Sequence, residues 1–252
     1  MATLPTYFVS HGGGPWPWMR EQYGPVYDKL AASLAALRRE ADAGGTVRAV
    51  LVVSSHWEAP QFMVSSGTAP GEPALARRVA ELLNAAGHPA GLDPERGFDH
   101  GTFSMLYPVY PEARMPVVQL SLRRDLDPAA HLAAGRALAP LRDDGVLIIG
   151  SGLSFHNLRQ FGTSGKIASH AFDAWLQDTL LEHDPVQRAQ LLLRWDAAPQ
   201  ARAAHPREEH LIPLLVALGA AEREPAACVY HEDDFFGSLA VSSFRFGAAA
   251  GA

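Results

Sequence analysis

Val50, Leu51, Val52 and Val53 form an unbroken, largely β-branched apolar run that stops at Ser54-Ser55-His56-Trp57. A strand that does not alternate apolar with polar positions has both faces covered, so this run predicts a central strand of an α/β sheet. The pattern occurs twice more. Residues 4–10 are strand-like and lead into His11 and three glycines, and residues 146–150 lead through Ser151 to His156. Open α/β sheets bind ligands in the crevice at the carboxyl ends of their strands. Three strand ends that each deliver a histidine therefore predict one shared site holding His11, His56 and His156.

Between these strands the spacing predicts helices. Pro25 opens one over 25–42, with Val26, Leu30, Leu34 and Leu37 on one stripe, and Gly44 and Gly45 end it. Further helices are predicted over 74–86, from His100 to just before Pro108, over 128–142 behind an Asp127 N-cap, over 166–183 and 185–195, and over 207–219, the last carrying Glu208, Glu209 and His210. Additional strands are predicted near 61–65, 117–122, 226–230 and 239–246. The alternation gives an α/β fold: a single domain with a central mixed β-sheet flanked by helices in three α/β/α layers, spanning 1–246, with 247–252 as a flexible C-terminal tail.

Composition narrows the partners. With 48% hydrophobic and 19% charged residues in 252, the chain has the balance of an ordinary globular domain. A formal net charge of -6, with no basic cluster, argues against nucleic acid and against an anionic membrane surface. No stretch approaches the roughly 20 apolar residues of a membrane span, and the N-terminus lacks a basic segment ahead of an apolar one, so a cytoplasmic location is expected. The single cysteine, Cys228, forms no internal disulfide, which suits a reducing compartment.

Histidine carries the chemistry. Of eleven, five stand in suggestive contexts: His11, His56, His100, His156 and His210. Imidazole is a common metal ligand and titrates near neutrality, so such a cluster can hold a metal and still leave an acid or base. By contrast, His131, His170 and His183 fall on helix positions expected to face solvent, and Glu208 and Glu209 could be ligands, partners that orient ligands or a solvated first turn, of which the solvated reading is preferred. The HGGG at His11 also occurs as the oxyanion loop of esterases, but those need a G-x-S-x-G elbow, and Ser154 is followed by His156 where the last glycine belongs. No Gly-Lys-Ser/Thr phosphate loop and no HExxH zinc signature is present.

In order along the chain, HGG at 11–13, SSHW at 54–57, GFDHG at 97–101, SGLSFHNLR at 151–159 and EHLIPLL at 209–215 resemble the class III extradiol ring-cleavage dioxygenases, in the branch that acts on DOPA-like catechols. The resemblance covers nearly the whole chain. It implies that His11, His56 and His210 are metal ligands, that His156 is a further metal neighbour as well as the active-site base, and that His100 is a second acid-base residue. Where protocatechuate-cleaving relatives have a glutamate as third ligand, this chain has His210. A set of three or four histidines suits Zn(II) at least as well as Fe(II).

The expected function is metal-dependent opening of a catechol-type aromatic ring by O₂, with Fe(II) as the active cofactor and Zn(II) as an alternative bound metal. The expected partners are a small aromatic diol and O₂, in a monomer or small homo-oligomer. Trp16 and Trp18, set in a Pro-rich loop, are expected to wall the pocket, and Arg159 to meet any substrate carboxylate. Two other readings stay open: a zinc-dependent hydrolase on the same histidines, and a non-catalytic descendant that binds a metal or small ligand.

Overall fold

The computed structural model describes residues 3–67 and 71–248. Its strands are β1 Thr6–Ser10, β2 Ala49–Ala59, β3 Phe62–Ser65, β4 Ala90–Asp93, β5 Val117–Arg123, β6 Val146–Gly152, β7 Ala226–Phe235 and β8 Leu239–Phe246. They form one mixed sheet in the order β4-β3-β5-β2-β6-β1-β8-β7. The middle four, β5, β2, β6 and β1, are parallel, while β3 and β8 turn antiparallel at either side.

Both faces of the centre are covered, and alternate residues of β2 enter different cores. Val50 and Val52 pack with Leu30, Leu34 and Phe172, whereas Leu51 and Val53 pack with Val79, Leu138 and Val216. The helices are α1 Arg20–Tyr23, α2 Asp28–Gly44, α3 Pro73–Ala85, α4 His100–Val109, α5 Pro128–Leu138, α6 Lys166–Leu181, α7 Pro185–Leu193, α8 Ala201–Ala204 and α9 Ile212–Ala220. Helices α2, α4 and α6 supply the first core and α3 and α5 the second, while α9 is apolar all round and touches both. The result is a single three-layer α/β/α domain. Among the described residues no helix is long and apolar enough to cross a membrane.

Several boundaries differ from those predicted. Strand β2 does not stop at His56 but resumes to Ala59, with a register shift in its pairing to β5 between Val53 and Glu58. Pro25 sits in a 3₁₀ turn, Gly24–Tyr27, and the α-helix proper begins at Asp28. Helix α4 runs one residue past Pro108, closed by the Tyr110 N–H on the Leu106 carbonyl. Glu208, Glu209 and His210 are not helical: they form the turn before α9, whose first residue is Ile212. Strand β4 was not foreseen because Ala90-Gly-Leu-Asp93 carries almost no strand signal. The tail expected from 247 lies, from 249 onward, outside the described residues, as does part of the turn after Ser65.

Candidate metal centre and active site

The parallel register puts the strand ends level. Ser54 pairs with Ser151 across β2 and β6, and Ser10 with Gly152 across β1 and β6, so His11 follows β1 at the height where β2 loosens and β6 ends. His56 lies inside the segment where β2 leaves its pairing with β5, which frees the chain there to turn its side chain toward the strand ends. His156 is held by its backbone N–H on the Ala204 carbonyl at 3.0 Å. The turn carrying His210 rests on the end of β6, where Leu153 N–H donates to His210 O at 3.1 Å. Only glycine fits beneath it, since a Cβ on Gly152 would overlap the His210 carbonyl.

The rings converge. His11, His56 and His210 have centroid separations of 4.9, 5.3 and 4.8 Å, a near-equilateral triangle, and the Nε2 atoms of His11 and His56 are 3.1 Å apart. His100 stands 3.9 Å from the His56 centroid, and His156 stacks on His210 at 3.4 Å with 17° between planes. The nitrogens fall into two close groups, His11-His56-His100 and His156-Glu209-His210, with the ligand atoms of each group within 4.8 Å of one another.

Hydrogen bonds fix which ring nitrogen is free. Ser151 Oγ donates to Gly101 O at 2.5 Å, so its 3.1 Å contact with His11 Nδ1 is received from the ring, and His11 keeps a lone pair on Nε2. One carboxylate oxygen, Glu209 Oε1, lies 2.9 Å from His210 Nδ1 and 3.2 Å from His156 Nδ1, which leaves the Nε2 lone pairs of both rings for the cavity. The other oxygen has no hydrogen-bond partner and faces Arg207 at 3.5 Å. Behind His56, the Asp99 carboxylate accepts from Ser54 Oγ at 2.7 Å and Gln119 Nε2 at 2.6 Å while capping α4, which sets His100 at that helix's first position.

Burial, reinforced by neighbouring rings, keeps the imidazoles of His11, His56, His100 and His210 uncharged. His56 is lowered to about 4 and His210 to about 3, His11 falls well below its ordinary value, and His100 is lowered as well. Although burial opposes it, the hydrogen bonds from His156 and His210 hold the Glu209 carboxyl well below the usual carboxylate range. An arrangement of inward-facing imidazoles around one centre, with a carboxylate locking two of them, could hold a divalent transition metal.

The predicted residues divide clearly. His11, His56, His100, His156 and His210 line one cavity of about 350 Å³. Trp16 does not wall it: buried against Tyr27 at 4.8 Å, it donates Nε1–H to His11 O at 2.7 Å and so braces the loop from beneath. Trp18 turns outward, 56% exposed, against Phe103 and Tyr107, because the 3₁₀ turn Trp16–Trp18 sends the two indoles in different directions. Arg159 opens onto a neighbouring cavity of about 460 Å³ that shares His156 with the first. The aromatic lining comes instead from Tyr23, Tyr27, Phe161, Phe235 and Phe236, which the sequence did not single out, although the paired Phe235-Phe236 in a Gly-containing turn was a readable signal. Glu209 was also misjudged as solvated; its adjacency to His210 was the available clue.

Residues 61–242 match the family described as the catalytic LigB subunit of aromatic ring-opening dioxygenase. The chain is 35% identical to a 4,5-DOPA dioxygenase extradiol of Beta vulgaris, with 96% of each chain covered. It is 32% identical to a protein of the same name from Escherichia coli K12, covering 97% of this chain and 95% of that one. The crystal structure of an uncharacterized protein from Escherichia coli K12 superposes with a TM-score of 0.77 at 31% identity, over 97% of this chain and 100% of the other.

Proposed function

Because the chain belongs to the LigB family of extradiol ring-cleavage dioxygenases, we propose that it opens the ring of a small catechol-type substrate with O₂ at the cavity of the five histidines. The observation that carries this reading is the triangle of His11, His56 and His210 in the wall of an aromatic-lined cavity. Its donor chemistry fits a divalent ion: each ring is neutral, and for His11 and His210 the protonated nitrogen is already engaged elsewhere. His11, His56 and His210 are the proposed ligands, with His156 close enough to join them.

When bound, such an ion acidifies the diol and, as Fe(II), provides the electron path between ring and dioxygen; Zn(II) would occupy the same nitrogens without that path. The residues around it do the proton work. His156, with Nδ1 committed to Glu209, presents Nε2 as acceptor for a diol hydroxyl proton, and the Glu209 carboxylate stabilises the imidazolium so formed. His100, kept neutral chiefly by burial, stands beside His56 and offers an N–H to an oxygen atom of the reacting pair. Tyr27 and Phe161 give the ring an apolar, water-excluding surround. Arg159 is reached only by a substrate that extends past His156 into the adjoining cavity.

The test is reconstitution with Fe(II) under argon, followed by oxygen uptake with catechol, an amino-acid catechol and a catechol acid. Uptake with formation of a coloured semialdehyde supports the reading. Indifference to all three diols, with hydrolysis of an ester under argon by the Zn(II) form, would replace it with a zinc hydrolase.

A further inference from the structure

Phe236 occupies a conformation that a bulky side chain seldom adopts. It stands at the turn between β7 and β8 with φ 49°, in the left-handed region, and Gly237 after it follows with φ 82°. The turn is well anchored. Gly237 N–H bonds Asp234 O at 2.6 Å, and Lys29 on α2 holds Asp234 at 2.6 Å and Glu232 at 3.2 Å. Three rings meet Phe236 edge to face: Phe235 at 4.9 Å, Phe161 at 5.1 Å and Tyr27 at 5.6 Å.

These contacts bury Phe235 fully but leave Phe236 only half-buried, and Phe236 lines the cavity of the histidines. Phe236 thus keeps exposed surface while lining the place where a substrate ring would sit. A strained residue that persists because its surroundings over-determine it, with one face left unpacked at a candidate active site, points to a role in binding.

We propose that Phe236 is a specificity-determining residue: its free face stacks on the substrate ring, and its reach into a cavity of about 350 Å³ restricts the substrate to a single planar ring. This rests on the ring-opening reading above.

The test measures binding by calorimetry under argon, so that no turnover occurs, on the Fe(II)-loaded protein with catechol and with 2,3-dihydroxynaphthalene. Phe236→Asn tolerates the left-handed backbone without a ring, Phe236→Leu keeps the apolar bulk without the flat face, and Phe236→Tyr keeps both. The Asn and Leu variants are expected to bind catechol about 5- to 10-fold more weakly and to shift preference toward the two-ring diol by at least as much, while the Tyr variant keeps the parent's preference. An unchanged preference in whichever of the Asn and Leu variants retains the parent's metal content and melting temperature overturns the inference alone. If the parent binds neither diol, the ring-opening reading falls and takes this inference with it.

Discussion

Two sets of buried histidines invite comparison. His131 and His205 are as inaccessible as His11, and burial lowers both to about 4, much as it lowers His56 and His210. The difference lies in where the nitrogens go. His131 spends both on backbone, donating Nδ1–H to Asp127 O at 2.7 Å and accepting from Arg123 N–H at 3.1 Å, and so staples the start of α5 to the end of β5. His205 donates to Ser154 O at 2.9 Å. At the site, by contrast, the protonated nitrogens of His11 and His210 are tied back to Ser151 and Glu209, and the Nε2 atoms of His11 and His56 stand 3.1 Å apart. Burial makes an imidazole neutral; convergence of free lone pairs makes it a ligand.

The sharpest way to break the comparison is to remove one ring from each set. His56→Ala is expected to abolish metal binding and turnover together, whereas His131→Ala should keep the parent's metal stoichiometry and lose roughly 2–4 kcal/mol of stability, from a cavity and an unmet Arg123 N–H, since Asp127 O still accepts the backbone N–H of residue 131. Metal analysis and urea unfolding on the two variants decide it. His100→Phe should retain metal while slowing turnover by about 10²- to 10⁴-fold, the usual contribution of a positioned acid or base. Loss of metal in that variant would move His100 into the ligand set, a role its proximity to His11 and His56 also permits.

Glu209→Gln sharpens the distinction from the other side. It keeps the shape but removes the charge that orients His156 and His210, and metal affinity, read by competition with a chelator, is expected to fall roughly 10- to 100-fold. The smallest effect is on pH dependence. The folded pKa values of His131 and His205, about 4, lie below the ordinary 6.5, so the unfolded chain takes up protons first as pH falls. Their stabilisation is fully present above about pH 6.5 and is lost toward pH 4, at about 2 kcal/mol per histidine between pH 7 and pH 5. Urea midpoints of the metal-free protein at pH 7.5 and 5.0 should fall by more than this, because His56 and His210 add to the slope, and His131→Gln should reduce it.

The same comparison explains what could be read from the sequence. The apolar runs of β2 and β6 and the Asp127-Pro128 cap of α5 are local signals, and each marks a real element. His131 is buried where the sequence expects a solvent face because its ring meets Phe62 on β3 and the Arg123 N–H at the end of β5, and nothing within residues 128–138 announces those partners. Glu209 was misread because a carboxylate in a turn is ordinarily solvated; only the folded chain puts two imidazoles within reach of one of its oxygens. Trp16 and Trp18 show the limit of loop reading, since positions two apart in one 3₁₀ turn serve opposite surroundings.

The order of the sheet also governs when the site can exist during folding. Strand β6 lies between β2 and β1, so the level at which the five rings meet is set by pairings that join residues about a hundred or more positions apart, such as Ser54 with Ser151 and Ser10 with Gly152. Contacts so remote in sequence carry a large loop-closure cost and form late. During synthesis the chain can bring together His11, His56 and His100 only after β6 has emerged, and the stacked pair of His156 and His210 only when all but the last two strands have been made. Capture of the proposed metal would thus be a late event, one that reports completion of the domain and cannot serve as its nucleus.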